Sequence, residues 1–137
     1  MENYDPRYLA GILLFNEGAF FEAHEVWEDL WLDTGGEAKR FYQGLIQAAV
    51  CLVHLCNRNY SGAARLYQSA QNYMRAYGRH FLGLDIEDFW RQMEATCKPY
   101  LESERPPAQE PETYPQIRLN PEPSVWPDPE PFLPPES

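Results

Sequence analysis

Proline placement divides this chain more sharply than any other feature of it. Of 13 prolines only Pro6 and Pro99 precede residue 104, so 11 fall within the last 34 residues. Proline fixes φ, lacks an N–H and pushes the preceding residue out of the helical region, so residues 1–103 are free to be helical and residues 104–137 are not. The latter segment also carries seven acids against Arg105 and Arg118, half of the chain's net charge of −10. It is expected outside the folded core, extended or partly disordered, as a Pro-rich acidic tail. Its apolar residues Ile117, Leu119, Val125, Trp126, Phe132 and Leu133 point the other way, to a strap lying across the helices. Composition alone leaves the strap and the disordered tail equally open. The Pro-x-x-Pro match at Pro131 to Pro134 is weak, since no basic residue flanks it.

Residues 1–103 read as helix throughout. Asp5 before Pro6 is an N-cap with proline at the first helical position, predicting a helix from Pro6 to about Asn16. After the Glu17-Gly18 break, Phe20, Ala23, Trp27, Leu30 and Trp31 recur at three and four, predicting a second helix that ends before Asp33. Ala38 to Cys56 is apolar around most of its circumference, as suits a central helix. A fourth helix carries Tyr60, Ala63, Tyr67, Ala70, Met74 and Tyr77, and a fifth, capped by Asp85, carries Ile86, Phe89, Met93, Cys97 and Tyr100. No segment alternates as a strand does, so almost no sheet is expected. The fold class is therefore all-α, a compact bundle of about five helices built from helical hairpins. A faint 40-residue repeat, Phe20-x2-Ala23-x3-Trp27 over Tyr60-x2-Ala63-x3-Tyr67, supports two stacked hairpins rather than a solenoid, which needs at least three repeats.

Charge and cysteine content exclude several functions. A net charge of −10 opposes binding to phosphate backbones, so no nucleic-acid partner is expected. The longest apolar run, Ala48 to Val53, is far short of a membrane span, and the acidic N-terminus is unlike a secretory leader, so a cytoplasmic protein is expected. Cys51, Cys56 and Cys97 lack metal or disulfide spacing and read as reduced, buried thiols.

One polar cluster stands out. On helix two, His24 and Glu28 are an i, i+4 pair within or beside the apolar arc, while Glu22, Glu25 and Asp29 share the water-facing side. On helix three, Arg40, Gln43, Gln47 and His54 fall within roughly 60° of one another. If the two helices form an antiparallel hairpin, this stripe faces His24 and Glu28 and makes a polar site walled by Trp27 and Trp31. The plain alternatives are that the stripe is simply the solvent face, and that His24 and Glu28 brace the helices with or without Arg40. His54 also suits a helix C-terminus on its own. For metal binding, His24-Glu25-x-x-Glu28 lacks the second histidine of a zincin, and no Glu-x-x-His of a di-iron bundle is present. His24, Glu28 and His54 remain the candidate ligand set. No Gly-rich phosphate loop and no nucleophile turn is found.

The run Phe15-Asn16-Glu17-Gly18-Ala19-Phe20-Phe21-Glu22-Ala23-His24-Glu25-Val26-Trp27-Glu28, with Trp31 following, resembles the signature of the small all-helical family catalogued as domain of unknown function 309. Arg40-Phe41-Tyr42-Gln43-Gly44-Leu45-Ile46-Gln47 and Asn59-Tyr60-x-Gly62-Ala63 match it as well. The resemblance implies a compact helical bundle and brings no established activity or cofactor. Asn16, Glu22, His24, Glu25, Glu28, Arg40, Gln43 and Gln47 are thus motif residues whose role is open. The leading expectation is a binding module, possible as a homodimer, whose pocket of His24, Glu28, Trp27, Trp31, Arg40, Gln43 and Gln47 holds a small polar ligand or a protein partner's polar group. Its rivals are a metal-assisted hydrolase, with His24, Glu28 and His54 as ligands and Glu25 as base, and a purely structural brace.

Overall fold

The computed structural model describes residues 3–135, so Glu136 and Ser137 of the expected tail lie outside the described residues. Five helices form the body: α1 (Pro6–Asn16), α2 (Phe20–Leu32), α3 (Ala38–Cys56), α4 (Tyr60–Met74) and α5 (Ile86–Leu101). The two caps that the sequence marks, Asp5 and Asp85, are present, and Asn59 caps α4 as well. Asp5 accepts from the Arg7 N–H at 2.9 Å, Asn59 from Gly62 at 3.1 Å and Asp85 from Asp88 at 3.0 Å. Such caps satisfy N–H groups that have no partner within the helix. The fourth helix is shorter than its apolar pattern, tightening after Met74 into a 3-10 turn over Arg75–Tyr77.

Helix α3 is the centre, with α2 and α4 on its flanks, α1 packed on α2, and α5 on α4. Close approach depends on two glycines. A Cβ at Gly11 would collide with the Trp27 indole, and one at Gly44 with the Met74 side chain. Trp27 is consequently fully buried, and its Nε1–H donates to the Tyr8 carbonyl at 3.2 Å. None of the described helices is long and apolar enough to cross a membrane.

The near-absence of sheet needs one correction. His80–Phe81 (β1) and Leu84–Asp85 (β2) pair antiparallel, joined by Leu82 at φ 46° and Gly83 at φ 78°. Two successive positive-φ residues fit the right-handed twist of a tight hairpin. Strands of two residues are too short to show alternation, and a leucine in the left-handed region gives no turn signal. The Tyr8 hydroxyl donates to the Leu82 carbonyl at 3.0 Å, tying this hairpin to α1.

A second correction concerns the proline-rich segment, part of which enters the core: Ile117 is 2% exposed, and Leu119 is buried beside it. Side chains of the helices and of the α3–α4 turn hold its backbone along the way. The Tyr100 hydroxyl donates to Gln109 O at 2.6 Å, Thr96 to Thr113 O at 3.3 Å and Arg58 to Ala108 O at 3.0 Å. Asn16 grips both backbone groups of Ile117, donating to its carbonyl at 2.9 Å and accepting from its N–H at 2.8 Å. Gln92 does the same to Gln116 at 3.1 and 2.8 Å. Leu119 then bridges to Leu84, and the Asn120 N–H donates to Gly83 O at 2.9 Å. Val125, by contrast, lies exposed on the surface.

Candidate functional site

On α2, the buried face is Phe20, Ala23, Val26, Trp27 and Leu30, leaving His24, Glu28 and Trp31 as a stripe at its margin. His24 Nδ1 lies 2.7 Å from the Phe21 carbonyl, and its ring packs on Phe21 with centroids 5.0 Å apart. A carbonyl can only accept, so Nδ1 carries the hydrogen and Nε2 is the acceptor of the neutral ring. Nε2 points at Glu28 Oε2, 3.5 Å away. Two acceptors face each other there, so the pair attracts only when the imidazole is protonated or when a donor enters between them. The Glu28 carboxylate is 55% exposed, so solvent screens the pair.

On α3, two stacking contacts fix the outward face. Lys39 Nζ stands 4.4 Å above the Trp31 ring of α2, and the Arg40 guanidinium 4.7 Å above Tyr73 of α4. Gln43 and Gln47, both half-buried, follow on the stripe between those flanks. In an antiparallel α2–α3 hairpin, the Trp31–Lys39 contact brings His24 level with Ile46 and Gln47, and Glu28 level with Tyr42 and Gln43. Gln47 Oε1 is buried and accepts from no donor among the described residues. Burying a carboxamide oxygen without a donor costs about 1–3 kcal/mol, so its position comes at a cost to the fold.

Several sequence-predicted members fall elsewhere. Trp27 does not wall the site: it lies in the core against Tyr8 and Gly11. Arg40 is exposed and turned to α4, and Trp31 is capped by Lys39. His54 sits in the last turn of α3, where Asn59 Nδ2 donates to its Nδ1 at 3.1 Å, closing the α3–α4 turn. It therefore does not join His24 and Glu28, and among the described residues no group of three or more His, Cys, Asp or Glu could hold a metal ion. Glu22 and Glu25 are half-buried rather than open to water, while Asp29 is exposed.

Cys56 is exposed, not buried, and lies 3.4 Å from the Tyr114 hydroxyl. The neighbouring Cys97 thiol and burial raise Cys51 far above the ordinary thiol range, leaving it protonated and unreactive. Burial likewise pushes Tyr42 and Tyr67 up to about 12, so both stay neutral. Asn16 had no assignable role in the sequence. Its task depends on a partner 101 residues away, which no local pattern records.

Residues 8–66 match the model of a family described as "Domain of unknown function (DUF309)". A 69-residue stretch is 39% identical to "Uncharacterized protein YpuF" of Bacillus subtilis (strain 168), covering 48% of this chain and 40% of that protein. Another of 81 residues is 31% identical to an "Uncharacterized protein" of Aquifex aeolicus (strain VF5), covering 58% of this chain and 24% of that one. The chain thus spans less than half the length of either relative. The family segment contains His24, Glu28, Gln43 and Gln47, and the strap lies outside it.

Proposed function

We propose that the outward face of α2 and α3, within the segment 8–66 that matches the DUF309 model, is a binding site for a donor-bearing polar group of a small ligand or protein partner. The carrying observation is the buried Gln47 Oε1 with no donor. His24 Nε2 and Glu28 Oε2, both acceptors and 3.5 Å apart on the neighbouring helix α2, favour the same kind of ligand, an amide, ammonium or hydroxyl. Gln43 supplies a further carboxamide, and Arg40 and Trp31 border the face. The protein acts as a binding module in the cytoplasm, as a monomer or a homodimer, without nucleic acid, in keeping with its charge of −10.

The test is the thermal midpoint of wild type and Glu28→Gln across a panel of polar metabolites and divalent metal ions. A ligand that binds only the folded state at a hundredfold excess over its Kd adds about 2.7 kcal/mol of stability. The expected result is a metabolite shift that Glu28→Gln abolishes. No shift in the wild type with any compound contradicts the small-ligand form of the reading and leaves the search to protein partners by affinity capture with Gln47→Leu as control.

A further inference from the structure

A groove on the opposite part of the chain, outside the family segment, has a different chemistry. It runs between the end of α4 with its 3-10 turn and the first half of α5, and encloses about 410 Å³, within the range of small-molecule sites. Arg75 and Arg79 line one wall; Ile86, Trp90 and Arg91 line the other. Three of the chain's 11 basic residues therefore meet in one groove of a protein with net charge −10.

Their charge is only partly used. Arg75 has no carboxylate within 4.0 Å among the described residues. Arg79 reaches Asp85 and Glu87 only at 3.7 and 3.8 Å, too far for hydrogen bonds. Arg91 alone makes a close pair, with Asp88 at 2.9 Å. Trp90 is 8% exposed and braced edge-on by Tyr67 and Phe89, which fixes its indole as a rigid apolar surface beside Ile86. Its buried Nε1–H has no acceptor among the described residues, as Gln47 Oε1 has no donor. The lining also includes two carboxylates, Glu87 and Glu94. Guanidinium forks match the oxygens of a phosphoryl group, carboxylates accept from hydroxyl or amino groups, and a flat apolar wall takes a ring.

We propose that this groove binds a small organic phosphate monoester, its phosphoryl group held by Arg75, Arg79 and Arg91 and its uncharged body laid along Trp90 and Ile86. Binding is non-covalent, and the site is independent of the α2–α3 face, so either assignment stands or falls alone.

The experiment follows the Trp90 indole N–H resonance of the full chain, assigned with Trp90→Phe, during titration with adenosine 5′-monophosphate and glucose 6-phosphate. Adenosine, glucose and inorganic phosphate serve as comparison probes. Both esters are expected to move the resonance at millimolar concentration, adenosine and glucose to leave it in place, and inorganic phosphate to bind more weakly than the esters. Arg75→Ser and Arg91→Ser, at exposed positions, are expected to weaken ester binding about tenfold, the loss of one charge-assisted contact. Arg105→Ser, outside the groove, should change nothing. The proposal is overturned if neither ester moves the resonance, if Arg75→Ser and Arg91→Ser bind the esters as wild type does, or if inorganic phosphate binds as tightly as the esters.

Discussion

Two regions of the molecule hold the same functional group in opposite states. Where segment 108–121 crosses the helices, the Asn16 and Gln92 carboxamides are each paired through both ends with the N–H and C=O of one residue of the chain itself. On the outward face of α3, Gln47 Oε1 is buried with no donor among the described residues. A buried polar group that its own chain satisfies is part of the structure, whereas one left unsatisfied lowers stability and persists where something else uses it. That difference assigns Asn16 to architecture and underlies the proposal that Gln47 serves recognition.

The strap side of the comparison is most open to attack through its apolar anchor. Ile117→Ala removes a side chain that is 2% exposed, and a loss of about 2–5 kcal/mol in urea unfolding is expected. Asn16→Leu should follow, costing about 1–3 kcal/mol for each peptide group of Ile117 it leaves unpaired. Hydrogen exchange at the Ile117 amide should accelerate in that variant while amides within α3 stay protected; uniform acceleration would mean that Asn16 supports the whole bundle.

These two variants probe what the sequence concealed. The starts of α1 and α5 were legible because Asp5-Pro6 and Asp85 act on N–H groups two or three residues away, and local rules see that distance. The Leu82-Gly83 turn and the seating of Ile117 were not, because each depends on groups that only the folded chain brings near, Tyr8 in one case and Asn16 in the other. The candidate site was legible in part. The i, i+4 spacing of His24 and Glu28 gave their pairing, and the helical wheel grouped Gln43 with Gln47. It also grouped His54 and Arg40 with them, since angular position on a helix says nothing of which neighbour a long side chain or a helix end will meet. Trp27 was misplaced for a related reason: only Gly11 on another helix makes room for it in the core.

Smaller effects sharpen the contrast between local and long-range order. Asp85 caps α5 locally: the Asp88 N–H, with Arg79 and His80 near, holds its carboxyl below the usual aspartate range. Because the folded-state value is depressed, the contribution is present above the unfolded value and lost as pH falls through the folded one. Asp85→Ala should cost about 1 kcal/mol at neutral pH, and Asp85→Asn should keep most of the cap while removing its acid sensitivity, both checked by unfolding across the acidic range. His24→Ala removes one hydrogen bond and a solvent-screened contact with Glu28, and a loss below about 1 kcal/mol is expected without ligand. A loss of about 1–3 kcal/mol would instead mark His24 as a structural brace.

The central claim, that Gln47 is kept for recognition rather than for stability, is tested most directly by the thermal midpoint of Gln47→Leu, a swap of similar volume, measured without ligand beside Asn16→Leu. An orphaned acceptor is no loss when an apolar group replaces it, so the midpoint should be unchanged or raised while that of Asn16→Leu falls. A midpoint lowered as far as that of Asn16→Leu would show that Gln47 is already satisfied within the fold, and would contradict the account.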